Sequence, residues 1–242
     1  TGNTVTPAYE GWYRNPDGSF TMSFGYYNRN AAETVEIPIG PQNFVSPGPQ
    51  NQGQPSEFQP DRHWGVFGVR LPATANRNTE VTWTSSFRGV TYAVPGTLRA
   101  NWNIDALEGE AGSGNTPPVV KFAQTGPEGR GPMGVTAGPL TAEVGKPLAI
   151  TAWVSDDGKG TGSVAGRGAT SQVTVAWFKH QGPGAVAFEP ATGRAASAGA
   201  QVTTRATFAA PGDYIIRFRA NDSSVASSGH AQCCWTNGFV KV

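Results

Sequence analysis

Three histidines (His63, His180 and His230) and two adjacent cysteines (Cys233 and Cys234) are the side chains of this 242-residue chain best suited to acid–base, nucleophilic or soft-metal chemistry. The histidines lie far apart in sequence. Neither a His-x-x-x-His nor a Cys-x-x-Cys pair occurs, so the spacing signals neither zinc nor haem attachment. There is no Gly-x-Ser-x-Gly elbow and no phosphate loop ending in Gly-Lys-Ser/Thr. The Gly-rich run 129–134 lacks that Lys and a following helix pattern, and reads as a loop. His63 beside Trp64 and His180 beyond Trp177 read as structural histidines near strand ends. His230 has a sulfur close by at Cys233, with Gln232 between, but copper or zinc would need more ligands than that. The residues therefore predict no catalytic set and no organic cofactor.

The cysteine pair has its own geometry. Adjacent α-carbons stand about 3.8 Å apart across a trans peptide, short of the usual disulfide span of about 4.4 to 6.8 Å. Cys233 and Cys234 can bridge only as a tight eight-membered ring, whereas alternating strand residues would face opposite sides of a sheet. Three states follow: a vicinal disulfide acting as a rigid local turn, two unpaired thiols, or a bond to another chain or a metal. Nothing nearby would acidify a thiol, which argues against a redox role.

The elements that must position these residues are strands. Gly 32 and Pro 19 together fill about a fifth of the chain, roughly double ordinary usage, and both are poor helix formers. Charged residues make up only 14%, while Trp 7, Phe 12 and Tyr 6 supply enough apolar surface to offset chain entropy. The net charge of +1 comes without a basic block, so the electrostatic footprint of a nucleic-acid binder is missing. No apolar run is long enough for a membrane-spanning helix. The composition is that of an exported β protein. Since the chain starts at Thr1 rather than Met, a leader is expected to have been removed, placing the protein in the periplasm or outside the cell.

A Gly/Ser stretch followed by Pro117-Pro118 predicts a linker over 108–118, separating an N-terminal β-sandwich (1–107) from a second one (119–242). In the first half, Asn15-Pro16-Asp17-Gly18 is a turn between two strands. In the second of these, Phe20, Met22, Phe24 and Tyr26 form a buried face opposite a wetter one of Thr21, Ser23 and Gly25. Further strands are predicted over 34–37, 63–71, 80–85 and 90–94. Between them, the Pro/Gln/Gly/Asn-rich stretch 41–61 reads either as a long surface connection or as an ordered binding loop pinned by Phe44 and Phe58, the candidate protein-binding residues.

In the second half, Leu148, Ile150, Ala152 and Val154 alternate with Ala149, Thr151 and Trp153. Val173, Val175 and Trp177 form the next apolar face, followed by Val202, Thr204, Ala206 and Phe208. Tyr214, Ile216, Phe218 and Ala220 point one way, with Arg217 and Arg219 opposite. Those two arginines, with Arg205 on an expected neighbouring strand, predict a solvated three-charge stripe. Tyr214 after Pro211-Gly212-Asp213 has the placement of a tyrosine corner. The last strand is expected over 238–242. Trp153 and Tyr27 each oppose an inward series, which suits either a sugar-stacking face or packing between domains.

Trp177, the run Gly182-Pro183-Gly184-Ala185-Val186-Ala187-Phe188, then 204–208, Pro211-Gly212-Asp213-Tyr214 and Asn221-Asp222 resemble bacterial PKD-like or immunoglobulin-like modules over 144–222. The chain departs from the PKD pattern at Phe178-Lys179-His180 and at Gln232-Cys233-Cys234-Trp235. Separately, Gly11-Trp12-Tyr13, Phe24-Gly25-Tyr26-Tyr27-Asn28-Arg29-Asn30 and Trp64-Gly65-Val66-Phe67 resemble the front of uncharacterised exported bacterial proteins. The first resemblance implies Greek-key topology in the second domain. In such a sandwich the second and sixth strands run in the same direction, so Asp156, Asp157, Asn221 and Asp222 would meet at one pole as an oxygen-rich Ca²⁺ site. Ordinary turn chemistry explains the same residue types.

PKD-like modules are usually spacers, adhesion or docking units. The expectation is an all-β, non-enzymatic exported protein, an accessory or extrinsic subunit docked on a larger surface or membrane-associated protein assembly. The alternatives are a carbohydrate-binding or adhesion module and, third, a hydrolase or redox accessory enzyme gathering His63 or His180 with carboxylates.

Overall fold

The computed structural model describes residues 2–108, 114–159, 172–222 and 233–242. It is all-β, and among the described residues there is no α-helix, hence none long and apolar enough to cross a membrane. The chain divides into two compact units, Thr1–Ile104 and Asp105–Val242.

The first unit comprises β1 (Val5–Arg14), β2 (Phe20–Asn28), β3 (Val35–Glu36), β4 (Asn43–Ser46), β5 (Glu57–Phe58), β6 (Asp61–Leu71), β7 (Glu80–Phe87) and β8 (Val90–Thr97). They form sheets ordered β1-β2-β6 and β4-β7-β8, with β3 and β5 paired beside them. The Asn15-Pro16-Asp17-Gly18 turn joins β1 to β2, Gly18 N–H donating to Asn15 O over 2.9 Å. One aromatic core lies between the sheets: Phe24 stacks on Phe67, and Trp83 meets Phe67 edge-on at 5.0 Å between ring centres. All three are essentially unexposed.

The inward series Met22, Phe24 and Tyr26 is buried, with Phe20 partly so, but the opposite face of β2 is not wet. Thr21 and Ser23 are fully buried and Gly25 is buried with them. Asn15 bonds the Thr21 hydroxyl from the turn, and two irregularities lie at the other end of the strand. The β1–β2 register shifts between Tyr9 and Gly11, leaving Glu10 as an extra residue, and the β2–β6 register shifts between Phe24 and Tyr26. Bulges of this kind redirect side chains. Gly25 leaves the room: a Cβ there would lie 2.1 Å from Glu10 Oε1 and 2.3 Å from His63 O.

The second unit comprises β9 (Val119–Lys121), β10 (Glu128–Gly129), β11 (Val135–Ala137), β12 (Pro147–Ser155), β13 (Gln172–Gln181), β14 (Val186–Glu189), β15 (Thr192–Ala196), β16 (Ala200–Phe208), β17 (Ile215–Asn221) and β18 (Trp235–Lys241). Its two sheets run β10-β9-β12-β16-β14 and β11-β18-β17-β13-β15. Every pair is antiparallel except β11 with β18. Between the sheets lie Ile150, Ala152, Val154, Trp177, Ala206, Phe208, Ile216 and Phe218.

Tyr214 is buried just ahead of β17, and its hydroxyl donates to Ala210 O over 2.8 Å, closing a tyrosine corner. Gly182 makes room for the ring, since its φ is +141° and a Cβ would lie 2.1 Å from Tyr214 Cδ1. Removing this hydroxyl in Tyr214→Phe is expected to destabilise the second unit by about 1 kcal/mol, the usual net worth of one hydrogen bond. Urea unfolding of the variant against the parent measures it.

Two expectations for this unit are corrected. The arginine stripe does not exist: β16 lies in a different sheet from β17, so Arg205 stands apart from Arg217 and Arg219. Nor is Arg217 solvated, being 2% exposed with its guanidinium 4.6 Å from the Phe178 ring centre. A central strand between β13 and β18 gives an arginine an aromatic to lie on, which alternation alone does not reveal. The end of the expected linker is also anchored. Asn115 is 1% exposed and donates to Asp222 Oδ2, and Thr116 donates to Asp157 Oδ2 through both its N–H and its hydroxyl. Residues 109–113 lie outside the described set.

Candidate functional site

The 41–61 stretch is a built object rather than a plain connection. It contains β4 and β5, and its backbone is held by amide side chains. Asn43, fully buried, donates from Nδ2 to Ile37 O and to Pro55 O, both at 2.8 Å. Its Oδ1 accepts from Trp83 Nε1 at 2.9 Å. Gln54, also fully buried, donates to Gln50 O at 2.6 Å and accepts from Gln52 N–H at 2.9 Å. Gln52 in turn donates to Pro47 O and Pro49 O. A turn-rich segment buries backbone carbonyls only if something satisfies them, and here side-chain amides replace a sheet ladder.

What remains outside is a tip of Pro47, Gly48, Pro49, Gln50 and Asn51, all exposed. Phe58 is fully buried, stacked near Trp83 at 6.2 Å and edge-on to Tyr26 at 4.9 Å. It anchors the loop and cannot itself touch a partner. Phe44 is half-buried on β4, paired across to Thr84.

A second polar centre escapes sequence reading. Glu10 Oε2 accepts from Gly65 N–H at 2.6 Å and Oε1 from Arg62 Nη2 at 2.8 Å. The glutamate side chain is unexposed, and the Arg62 guanidinium lies 3.8 Å from the centre of the Trp64 ring. Arg62 Nη1 also donates to Tyr26 O and His63 O. Burial pushes the Glu10 carboxyl up to about 7, outweighing the Arg62 charge and the hydrogen bonds from Gly65 and Arg62 that pull it down. The available signal was Gly25 inside a strong strand pattern, since such a glycine marks a bulge or a close approach.

The remaining predicted residues are dispersed. His63 Nε2 lies 2.8 Å from Pro60 O, and its ring stacks on Tyr26. His180 is buried, 5.1 Å from the Phe239 ring. His230 and Gln232 lie outside the described residues. Asp156 Oδ2 accepts from Gly158 N–H, Asp157 accepts from Lys159 N–H and from Thr116, and buried Asp222 accepts from Asn115. Asn221 ends β17 and pairs with Thr174. Asp156 Oδ2 and the carboxylates of Asp157 and Asp222 are engaged in turn and anchoring bonds, and among the described residues no group of three or more His, Cys, Asp or Glu is placed to hold a metal ion. Cys233 and Cys234 are joined as a vicinal disulfide across a cis peptide, both buried beside the Asn115 anchor.

No family model matches the chain, and no curated protein matches it. Solved structures found similar to it include the D00–D0 domain of intimin, at 12% identity over 98% of each chain with a TM-score of 0.29. Another is the Yersinia pseudotuberculosis adhesin InvE, at 11% identity over 98% of this chain and 58% of that one, with a TM-score of 0.26.

Proposed function

We propose that this protein is a non-enzymatic exported docking module, an accessory or extrinsic subunit of a larger cell-surface or membrane-associated assembly. It grips a protein partner with the tip of the 41–61 loop. The observation that supports this reading is the amide scaffold of buried Asn43 and Gln54 with half-buried Gln52, which fixes a loop whose exposed end is uncharged and Pro/Gly/Gln/Asn-rich. A loop ordered before binding loses little entropy on contact, so a small tip suffices for specific attachment. Low charge density suits burial against another protein surface.

The test is sedimentation of the full protein solubilised gently from its native cell envelope, with and without a charge at the tip. The parent is expected to migrate with a larger assembly at fixed stoichiometry. Gln50→Arg should weaken that association about tenfold or more while changing stability by no more than about 0.5 kcal/mol, because the side chain is exposed. A parent that sediments alone, or a variant that stays fully associated, overturns the reading.

A further inference from the structure

A different surface, in the second unit, carries a feature unrelated to the loop. Trp153 on β12 pairs across to Lys121 on β9 and to Gln201 on β16, so the three side chains form one row on the outer face of that sheet. Its chain neighbours Ala152 and Val154 point the other way, into the core. The tryptophan is thus not needed to fill the interior, yet it is only half-buried. It forms part of a surface depression of about 280 Å³ whose rim includes Val119, Lys121, Gln124, Gly199 and Gln201.

The chemistry of that depression is specific. An indole offers a flat apolar face, and Gln124 and Gln201, both exposed, each bring one donor group and one acceptor. Neither amide is hydrogen-bonded to another side chain among the described residues. Lys121 is already paired with Glu128, Nζ to Oε2 at 3.2 Å, so the rim is close to neutral. One step further along the sheet, Thr151 and Thr203 satisfy each other at 2.9 Å. A pyranose ring has the matching form, with C–H bonds on one face and hydroxyls around its edge. An acidic sugar would need an unpaired cation, and a peptide strand would need an open backbone edge, whereas β12 lies between two partners.

We infer that the outer face of the β9–β12–β16 sheet holds a binding site for one neutral pyranose unit of a glycan, with the Trp153 indole as its floor and Gln124 and Gln201 at its rim. A single stacked ring implies a Kd on the order of 1 mM. The site is independent of the loop-mediated docking proposed above, so either can fail without the other.

The experiment titrates the full, ¹⁵N-labelled protein with neutral trisaccharides built from glucose, mannose, galactose and N-acetylglucosamine, and with a galacturonate trimer. The indole N–H resonance of Trp153 and the side-chain amide resonances of Gln124 and Gln201 are followed, the amides being the readout in Trp153→Ala. At least one neutral probe is expected to shift it saturably, with the acidic probe binding at least several-fold more weakly. Trp153→Ala should abolish the response, and Gln201→Ala should weaken it several-fold with an unchanged melting curve. A Trp153 resonance that stays fixed across the neutral panel overturns the inference, as does preferential binding of the acidic probe. So does retained binding in Trp153→Ala. Should Trp153→Ala fail to fold, a double Gln124→Ala, Gln201→Ala variant decides, and undiminished binding there overturns the site.

Discussion

Asn43→Ala is expected to destabilise the first unit by about 4 kcal/mol, a large part of the stability of an ordinary domain. The estimate follows from what the truncation leaves behind. Ile37 O, Pro55 O and Trp83 Nε1 each have Asn43 as a partner in a site with no exposure. A buried polar group stripped of its partner loses roughly 1–3 kcal/mol. Three such groups would together lose about 3–9 kcal/mol if the loop stayed in place, and the expected figure sits low in that range because the loop is expected to lift away and hydrate them. Guanidinium unfolding of the full chain, read by tryptophan emission, measures the change. Gln42→Ala, one residue away and exposed, should stay within about 0.5 kcal/mol. An Asn43→Ala variant as stable as that control would show that the amide scaffold does not hold the loop.

The second large effect concerns pH. Glu10 has its folded-state pKa raised from 4.5 to about 7, chiefly by burial. Between those values the unfolded chain has released the proton while the folded chain retains it, so stability falls as pH rises. The contribution is fully present below the unfolded value, is lost progressively through the folded one, and then stays level. At 1.36 kcal/mol per unit the window corresponds to about 3 kcal/mol for this fully buried group. Stability measured from about pH 4.5 to about pH 8 should decline by that order in the parent and be nearly flat in Glu10→Gln, which keeps an oxygen for Gly65 N–H. A parent curve that is flat or rises across the window would mean that Arg62 holds the carboxylate charged despite its burial.

The two effects separate two roles of polar groups in a β-sandwich. Asn43 is neutral, so its satisfied hydrogen bonds rigidify the loop at every pH. Glu10 is ionisable and its burial favours the protonated carboxyl, so its contribution to stability falls as the pH rises through about 7, although its bonds to Gly65 and Arg62 favour the charged form. The proposed docking tip depends on the first kind of group and should therefore be insensitive to mild acidification.

Much of the fold was legible because alternation is a local property. Phe24 and Tyr26 in β2, Ile150 and Val154 in β12, and Ile216 and Phe218 in β17 lie where a period of two puts them, and Pro211-Gly212-Asp213-Tyr214 announced its corner. Turn residues also fixed where most strands stop, since Gly and Pro act on their own backbone. The linker's end, the arginine stripe and the dry face of β2 were not legible. The stripe depends on which strands become neighbours, since Arg205 and Arg217 are separated by sheet membership, and the hydroxyl of buried Thr21 is bonded by Asn15 from the turn before its strand. The candidate site divides the same way. The length and composition of 41–61 marked it as an excursion, but only the folded chain shows Asn43 reaching Ile37, Pro55 and Trp83 at once. Side-chain periodicity is written into the covalent order of the chain. The satisfaction of a buried polar atom is not, because its partner can be any residue that folding brings within about 3 Å.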